Sequence, residues 1–556
     1  MVSVNKRLVI YIIAMAALTM AALFPCLLND FVHLDDSAYV MKNSAIKSFS
    51  YDNLEKMFTR SFVGTYCPVT MMSYALDHMF WGLNPLGYHL TNYILHLAIT
   101  VLVFIFIYRL TGSGGISFIC GVLFGVHPLH VESVAWVAER KDLACAFFYM
   151  LALTAYLAYL GNKRSSIYLV CVVFALLSLL SKPMAVTLPV IFILLDYFRN
   201  RPFDKTALLD KAPFFVMSAV FGVVNIYFQS GAGSIRQTVK GAAMLYFRMK
   251  VIFFYLWKTI LPVKLSVMYV YHPVTGRHLA EIPVYAAMLA VLIILAAFSV
   301  KYSKKVIFGA AFFFITILPV LQIVQTGDIY AADRYMYLPS IGLFYLFAVF
   351  FIRFLSRETA FNKAVKTGMV IIFCFAVGWF SMLTWKRCEV WKDPVIFYET
   401  ALQSAPGNQV LLNNLGNIYA DKGEAEKAIE MYKRSVSAVP EDPGTYYNLG
   451  NAYSAAGRNP DALKAYKTAI SLKPAYAAAY RAMAHIYDSM GEREEEISAF
   501  KKALEIEPDD GVTYYNLCLT YRQINDKTSA ARYAALALKH GFNVPPGLLK
   551  ELGLSK

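Results

Sequence analysis

The chain has 556 residues, of which 58% are hydrophobic, and its mean hydropathy is +0.48. These values are typical of membrane proteins and exclude a single compact soluble domain. The formal net charge of +15 does not indicate nucleic-acid binding, because residues 386–556 hold 21 basic and 21 acidic residues and the whole excess lies in 1–385. We attribute this excess to cytoplasmic loops and to cations kept for anionic ligands.

Apolar segments of about spanning length recur throughout residues 1–385. They predict an all-α fold that begins with a polytopic membrane domain of about 11 transmembrane helices. The first segment follows Lys6 and Arg7 and is interpreted as a retained signal-anchor. The segments are 8–28, 89–108, 116–127, 143–160, 167–181, 184–198, 212–229, 281–300, 306–324, 337–355 and 366–385.

Basic residues between these segments predict the orientation. Lys6 and Arg7, Lys163 and Arg164, and Lys304 and Lys305 belong to loops that we expect in the cytoplasm. The segment 241–262 is long enough to span but carries three basic residues, so we interpret it as a helix that lies in the membrane interface. The number of spans is then odd, and everything after residue 385 is expected outside.

Two adjacent carboxylates, Asp35 and Asp36, follow the first apolar segment directly. Acids this close to a bilayer are costly unless they face solvent or serve a site. On the predicted topology they share the external face with other charged and imidazole side chains, and this convergence predicts a functional site there. These side chains are His127, His130, Glu132, Arg140, Asp142, Lys182, Asp333 and Arg334.

No metal centre is expected. Neither the acidic and histidine residues nor the eight scattered cysteines have the spacing of metal ligands, and no cysteine pairing can be inferred from their positions.

A 34-residue repeat occupies the last part of the chain. Pro406, Pro440, Pro474 and Pro508 follow one another at that interval, and small and aromatic residues recur at fixed offsets between them. This is the tetratricopeptide pattern, which predicts a C-terminal α-solenoid of helix pairs. We assign 1–385 to the membrane domain, 386–408 to a junction with a half repeat, 409–544 to the repeats and 545–556 to a tail.

Asn414, Asn448 and Asn516 occupy the same position in repeats one, two and four, where repeat three has Ala482. A column of amides along the concave wall can hydrogen-bond an extended acceptor peptide without reading its side chains. The alternative is that they are ordinary polar residues of the groove.

Several motifs resemble one family. They are Asp30–Asp36, Tyr66–Thr70, Leu83–Asn92, Leu95–His96, His127–Ala135, Arg140–Leu143 and Asp333–Ser340, in this order and followed by the repeats. The chain is similar to the transmembrane and tetratricopeptide-repeat-containing O-mannosyltransferases, whose membrane domain has the GT-C fold. The resemblance implies inverting transfer of a sugar, mannose in that family, from a polyprenyl-phosphate carrier to Ser or Thr of a protein acceptor that the repeats present.

The residues agree with this chemistry. Asp35 or Asp36 is predicted to be the base that takes the proton of the acceptor hydroxyl. Cations are needed to stabilise the leaving lipid phosphate, and the candidates are Lys182, Arg334 and Arg140. His127, His130 and Glu132 are expected to line the sugar pocket. No cofactor or metal is expected beyond the lipid-linked sugar itself.

Each of these roles has a structural alternative. Arg334 could form an ion pair with Asp333, Lys182 could extend to the membrane interface, and His127 could cap a helix end.

The whole chain could also serve another function. It could be a membrane-anchored scaffold whose repeats recruit protein partners without catalysis, or a flippase for lipid-linked sugars. We expect a bacterial inner membrane with periplasmic repeats, or an endoplasmic reticulum membrane with lumenal repeats in a eukaryote.

Overall fold

The computed structural model describes residues 6–233, 235, 239–271, 274–299, 303–321, 324–325, 327, 329–357 and 363–554. The chain forms two compact units, Met1–Ser404 and Ala405–Lys556. Most of the segment 386–408, which the sequence suggested as a junction, therefore lies in the first unit, and this includes the helix Pro394–Ser404.

Each of the eleven apolar segments contains a helix. Their bounds, in chain order, are Lys6–Leu23, Pro85–Thr111, Gly114–Val126, Arg140–Asn162, Ser165–Ser181, Leu188–Phe198, Ala212–Gly231, Ile282–Ser299, Lys304–Ile317, Ser340–Ser356 and Lys363–Glu389. Within the described residues, six helical stretches are long and apolar enough to cross a membrane, and a bent pair raises this number to seven. The all-α membrane fold is confirmed, whereas the number of eleven spans stays a prediction.

Two breaks in the membrane helices occur immediately before a proline. Gly114–Val126 and the following stretch Pro128–Ala135 are bent by 55° at His127, and Ser165–Ser181 ends at Lys182 before Pro183. His127 (φ −78°, ψ 130°) and Lys182 (φ −160°, ψ 137°) have extended backbones. The ring of a following proline disfavours the helical conformation of the residue before it, so both breaks follow from the sequence.

Glycines let several membrane helices approach closely. A Cβ at Gly121 or Gly125 would lie within van der Waals distance of Met15 or Thr19 on the first helix. Gly342 on Ser340–Ser356 lies against Lys304–Ile317, where an added Cβ would be 2.5 Å from the carbonyl oxygen of Gly309. Small residues at such contacts are the usual means by which membrane helices pack.

Shorter elements connect the long helices. The helix Gly241–Ile260 packs through Val251 and Tyr255 against Phe313 and Ile317 of a membrane helix. It is not one of the six stretches that are apolar enough to cross a membrane, because it carries three basic residues. Its orientation relative to the bilayer stays a prediction. The other short helices are Phe24–Leu28, Ser37–Met41, Ser44–Lys47, Tyr51–Thr59, Pro68–Trp81, Pro128–His130, Val131–Ala135, Val137–Glu139, Pro183–Thr187, Lys205–Leu209, Gly276–Ala280, Leu318–Val320 and Asp333–Met336.

In the part of the chain that the structure describes, one small sheet accompanies the helices. The strands Tyr269–Val270 and Ile329–Ala331 pair antiparallel, with Tyr269 opposite Ala331. The sequence pattern did not indicate this pairing, because both strands are too short to show an alternating pattern and are far apart in the chain.

The second unit is a solenoid of helix pairs. Its helices are Gln409–Asp421, Ala425–Ala438, Pro443–Ala455, Asn459–Leu472, Ala477–Met490, Arg493–Ile506, Gly511–Gln523, Lys527–Lys539 and Pro546–Glu551. The last helix lies in the predicted tail, and its Leu548 packs against Ala530 and Ala534 of the fourth repeat. The fourth repeat is thus covered by a further helix within the segment that the sequence assigned to a tail.

Residue size is balanced within each repeat. A Cβ at Gly450 would be 2.4 Å from the ring of Tyr466, and Gly416 stands in the same relation to Tyr432. In the third repeat the corresponding pair is Ala484 and Phe500, and in the fourth it is Cys518 and Ala534. From the first repeat to the fourth, the first residue of the pair becomes larger and the second becomes smaller. This compensation keeps the two helices of each repeat at a similar separation.

We expect Gly342→Ala to destabilise the membrane unit by roughly 1–3 kcal/mol, because the new methyl group meets a backbone carbonyl that cannot rotate away. The thermal midpoint of the purified full chain in detergent measures this loss. Gly378→Ala is the matched control, since a Cβ there meets nothing within 4 Å. Equal midpoints for the two variants would contradict the close helix contact.

Candidate functional site

The carboxylate of Asp36 is a structural anchor. Its side chain is buried, with Oδ2 accepting the backbone N–H of Val32 at 3.0 Å and Oδ1 accepting that of Ala138 at 2.8 Å. The loop that follows the first membrane helix is thereby fixed to the turn Val137–Glu139. Burial raises the pKa of Asp36 to about 7, although the two N–H groups favour the ionised form.

The carboxylate of Asp35 faces a cavity instead. This side chain is half-buried and lines a cavity of about 570 Å³ together with Tyr39, Lys141, Lys182 and Arg334. Burial raises its pKa, the nearby Glu139 carboxylate adds to this rise, and the cations Lys141 and Arg334 oppose it. The two neighbouring aspartates therefore differ in kind, one holding the loop and the other open to the cavity.

Three cations surround Glu139. Its Oε1 lies 3.1 Å from Nζ of Lys141 and 3.3 Å from Nε of Arg334, and its Oε2 lies 3.4 Å from Nζ of Lys182. Lys182 also contacts Oδ1 of Asp142 at 2.6 Å. Since Glu139 is itself only 2% exposed, the cations are held at the cavity wall by one shared buried carboxylate.

Arg334 has a second acidic partner, Glu132. The backbone N–H of Arg334 donates to Oε2 of Glu132 at 3.0 Å, and its guanidinium forms an ion pair with Oε1 of the same residue. Asp333 points elsewhere: its Oδ2 is 3.2 Å from Nη2 of Arg387, and its Oδ1 accepts the hydroxyl of Tyr269 at 2.8 Å. The alternative that Arg334 pairs with Asp333 is therefore wrong.

The alternative that Lys182 extends to the membrane interface is also wrong. Its side chain is 13% exposed and ends on Asp142 and Glu139, inside the cavity wall. The extended backbone before Pro183 places it there.

Arg140 does not line the cavity, so its predicted contact with the lipid phosphate is corrected. Its side chain is fully enclosed: Nη1 pairs with Asp77 at 2.5 Å, Nε donates to Asn92 at 2.8 Å, and Nη2 donates to the carbonyl of Tyr88 at 2.8 Å. The guanidinium also lies 4.6 Å from the centre of the Tyr74 ring. Arg140 therefore ties helices together beneath the cavity.

The predicted sugar-pocket histidines are buried in the helix packing and do not line the cavity. Nδ1 of His127 accepts the N–H of Leu129 at 3.3 Å, so the capping alternative holds, and its Nε2 is 3.0 Å from the carbonyl of Thr259. His130 lies 2.7 Å from the carbonyl of Phe124 and 3.0 Å from Oγ of Ser340. Both imidazoles serve the bend at Pro128, where broken helices leave carbonyl oxygens to be satisfied.

Glu139 and Lys141 were missed by sequence reasoning. They flank Arg140, one of the three cations that the sequence proposed for the phosphate, and they line the cavity whereas Arg140 does not. The available signal was four consecutive charged residues, Glu139 to Asp142, at the start of an apolar helix, where each must have a partner.

The repeats contain their own groove. A cavity of about 640 Å³ is lined by Tyr447, Arg481, His485 and Asn516, among others. Nδ2 of Asn448 lies 3.4 Å from Oδ1 of Asn417, one repeat earlier. Asn414 is half-buried at the equivalent position of the first repeat. The three predicted asparagines thus lie at equivalent positions of repeats one, two and four, and of the three only Asn516 lines this cavity.

Within the described parts of the chain, no group of three or more His, Cys, Asp or Glu side chains could hold a metal ion. The expectation of catalysis without metal or cofactor stays a proposal.

Comparison with known proteins bears on both units. Models of the tetratricopeptide repeat match residues 409–475 and 447–511. The chain is 24% identical over 450 residues to protein O-mannosyl-transferase F38B6.6 of Caenorhabditis elegans, which covers 76% of this chain and 62% of that protein. It is 24% identical to protein O-mannosyl-transferase TMTC1 of Homo sapiens, with 67% and 48% covered.

The chain therefore spans less than two thirds of the length of these relatives. Among solved structures, MamA is 32% identical and covers 26% of this chain and 86% of its own, with a TM-score of 0.26. The chain thus combines apolar helices of spanning length with C-terminal tetratricopeptide repeats. Its similarity to these relatives extends over most of its length. The chain is an integral membrane protein with C-terminal tetratricopeptide repeats, and it is similar over most of its length to the TMTC protein O-mannosyl-transferases.

Proposed function

We propose that this protein is an inverting glycosyltransferase that moves mannose from a polyprenyl-phosphate carrier to Ser or Thr of a protein acceptor. One observation carries the proposal: the carboxylate of Asp35 and the cations Lys141, Lys182 and Arg334 line the same cavity. A base and a set of fixed cations are the two chemical requirements for this reaction. The names of the relatives support the choice of mannose and of a protein acceptor.

Asp35 is the proposed base. An acceptor hydroxyl is a poor nucleophile, so Asp35 takes its proton as the oxygen bonds to the anomeric carbon of the sugar. The raised pKa of this carboxyl makes it a stronger base than an exposed aspartate. Attack from the side opposite the phosphate inverts the anomeric centre, and the carbon–oxygen bond to the lipid phosphate breaks.

The lipid phosphate leaves with additional negative charge. Lys182 and Arg334 were the cations favoured from the sequence, and Lys141 joins them at the same cavity wall. Because Glu139 and Glu132 already fix them, they need little reorganisation when the charge develops. Arg140, His127 and His130 act indirectly, by supporting the helices on which these residues stand.

The repeats are proposed to bind the acceptor peptide through the groove that contains Asn516, with Asn414 and Asn448 contributing along the same wall. We also propose that the catalytic cavity and the repeats both face the side of the membrane opposite the cytoplasm. This is the periplasm for a bacterial inner membrane and the lumen for an endoplasmic reticulum membrane.

We expect Asp35→Asn to reduce sugar transfer by about 10²–10⁴-fold, because the amide cannot accept the proton. The assay uses purified full-length protein, radiolabelled polyprenyl-phosphate sugars and a protein acceptor, and it follows label on the protein and release of lipid phosphate. Asp36→Asn is the matched control, differing by one position and the same chemical change. Asp36→Asn should lower the stability of the fold and leave the base in place, since a buried N–H left without its acceptor costs about 1–3 kcal/mol.

Transfer by wild type and by Asp35→Asn at the same rate would exclude Asp35 as the base. If wild type turns over none of the sugars while the repeats still bind protein partners, the scaffold function replaces the proposal.

Stability should also depend on pH through Asp36. Its pKa is about 7 in the folded protein and near 3.8 in the unfolded chain, so the folded form binds more protons between these values. The contribution of Asp36 is therefore fully present below pH 3.8 and is lost as the pH rises through 7. We expect a higher thermal midpoint at pH 6 than at pH 8 for wild type, and a smaller difference for Asp36→Asn. An unchanged difference in the variant would contradict this assignment.

Peptide presentation predicts a separate kinetic effect. Replacing Asn448 and Asn516 together by Ala should raise the KM for the acceptor and leave kcat at saturating acceptor unchanged, because the cavity residues are untouched. Asn413→Ala is the control, since that amide donates to Oγ1 of Thr445 at 2.6 Å and does not line the cavity. A fall in kcat alone would contradict the role in presentation.

A further inference from the structure

Two cysteines that are 362 positions apart in the sequence are in contact in the membrane unit. Sγ of Cys26 lies 3.1 Å from Sγ of Cys388, and both residues are fully buried. Cys26 belongs to the turn Phe24–Leu28 that ends the first membrane helix, and Cys388 lies in the last turn of Lys363–Glu389. Both are free thiols in this structure, with sulfurs about 1 Å farther apart than in a disulfide bond.

The surrounding backbone already joins these two chain segments. Nδ2 of Asn29 donates to the carbonyl of Cys388 at 3.3 Å, and the N–H of Asp30 donates to the carbonyl of Lys392 at 3.1 Å. The indole of Trp136 stacks on that of Trp391, with ring centres 5.7 Å apart. These hydrogen bonds and the stacked indoles hold the two chain segments together, so the contact between the sulfurs does not depend on the two cysteine side chains alone.

The position of the pair is the second observation. The segment from Cys26 leads within nine residues to Asp35, so the pair lies at the end of the helices that carries the cavity. The basic loops predict that this end faces away from the cytoplasm. Periplasm and endoplasmic reticulum lumen are oxidising compartments, in which adjacent thiols form disulfides.

We propose that Cys26 and Cys388 form a disulfide in the mature protein, which fastens the start of the aspartate loop to the end of the last membrane helix. A disulfide-bearing thiol oxidant supplies the oxidising equivalents. The thiolate of one cysteine attacks the oxidant's disulfide and releases one thiol, and the second thiolate then displaces the other. The protein loses two protons and two electrons, an Sγ–Sγ bond forms, and the oxidant leaves as two thiols.

The burial of both sulfurs indicates at which stage of folding the disulfide forms. Since neither sulfur is exposed in the folded chain, exchange occurs before the two helix ends finish packing, and the finished bond is shielded from reductants. Cys67 offers a contrast in the same external loop region: it is equally buried, and its Sγ contacts the carbonyl of Thr65 at 3.8 Å rather than another sulfur.

The test begins in intact cells. Free thiols are blocked with an alkylating reagent at lysis and under denaturation, and the purified full chain is digested with and without reductant and analysed by mass spectrometry. We expect Cys26 and Cys388 in one cross-linked peptide pair, lighter by two hydrogens than the separate peptides, and alkylated only after reduction. Cys67 should be alkylated without reduction. Full alkylation of Cys26 and Cys388 before reduction would overturn the proposal.

Stability gives an independent readout. Cys26→Ser, Cys388→Ser and the double variant should lower the thermal midpoint by the same amount, because each removes the one shared bond. Reductant added during denaturation should lower the midpoint of wild type and leave the double variant unchanged. If the serine variants do not fold, the effect of reductant on the thermal midpoint of wild type is the deciding result. An unchanged midpoint would then overturn the proposal. Sugar transfer is measured separately, so failure here does not depend on the proposed enzymatic function.

Discussion

The site depends on one buried carboxylate, Glu139, that is shared by three cations. Lys141, Lys182 and Arg334 come from three separate parts of the chain, and each lies within 3.4 Å of its oxygens. Like charges brought this close in a membrane protein repel one another strongly unless a counter-charge lies between them. Removal of Glu139 would leave buried cations without compensation, so the carboxylate is what allows the cavity to be cationic at all.

The breaks in the helices explain how the partners reach that carboxylate. Lys182 stands at the extended residue before Pro183, and the bend at His127 brings Glu132 towards Arg334. Continuous helices would place these charges along separate spans, where their backbones cannot turn inward. Arg140 stabilises the same region, because its contacts with Asp77, Asn92 and Tyr88 hold the helices Pro68–Trp81 and Pro85–Thr111 against the start of Arg140–Asn162.

Much of this arrangement can be predicted from the sequence, because apolar length and the 34-residue repeat report directly on helices and on the solenoid. The same is true of the cavity's location, since the charged motifs converge on one face. Finer assignments could not be predicted. Asp35 and Asp36 are adjacent and chemically identical, and only tertiary contacts to Val32 and Ala138 separate them. Arg140 and Lys141 are likewise neighbours, and the side of a helix that faces a cavity depends on how its neighbours pack.

We propose that the cavity lined by Lys141, Lys182 and Arg334 receives the donor's phosphate. The most direct test is a cryo-electron microscopy structure of the purified full chain in nanodiscs with polyprenyl phosphate, the proposed product. We expect phosphate density in contact with Lys182, Lys141 and Arg334, with the carboxylate of Asp35 facing the space where the sugar would lie. Phosphate bound elsewhere, with these three cations still paired only to Glu139, Glu132 and Asp142, would contradict the account.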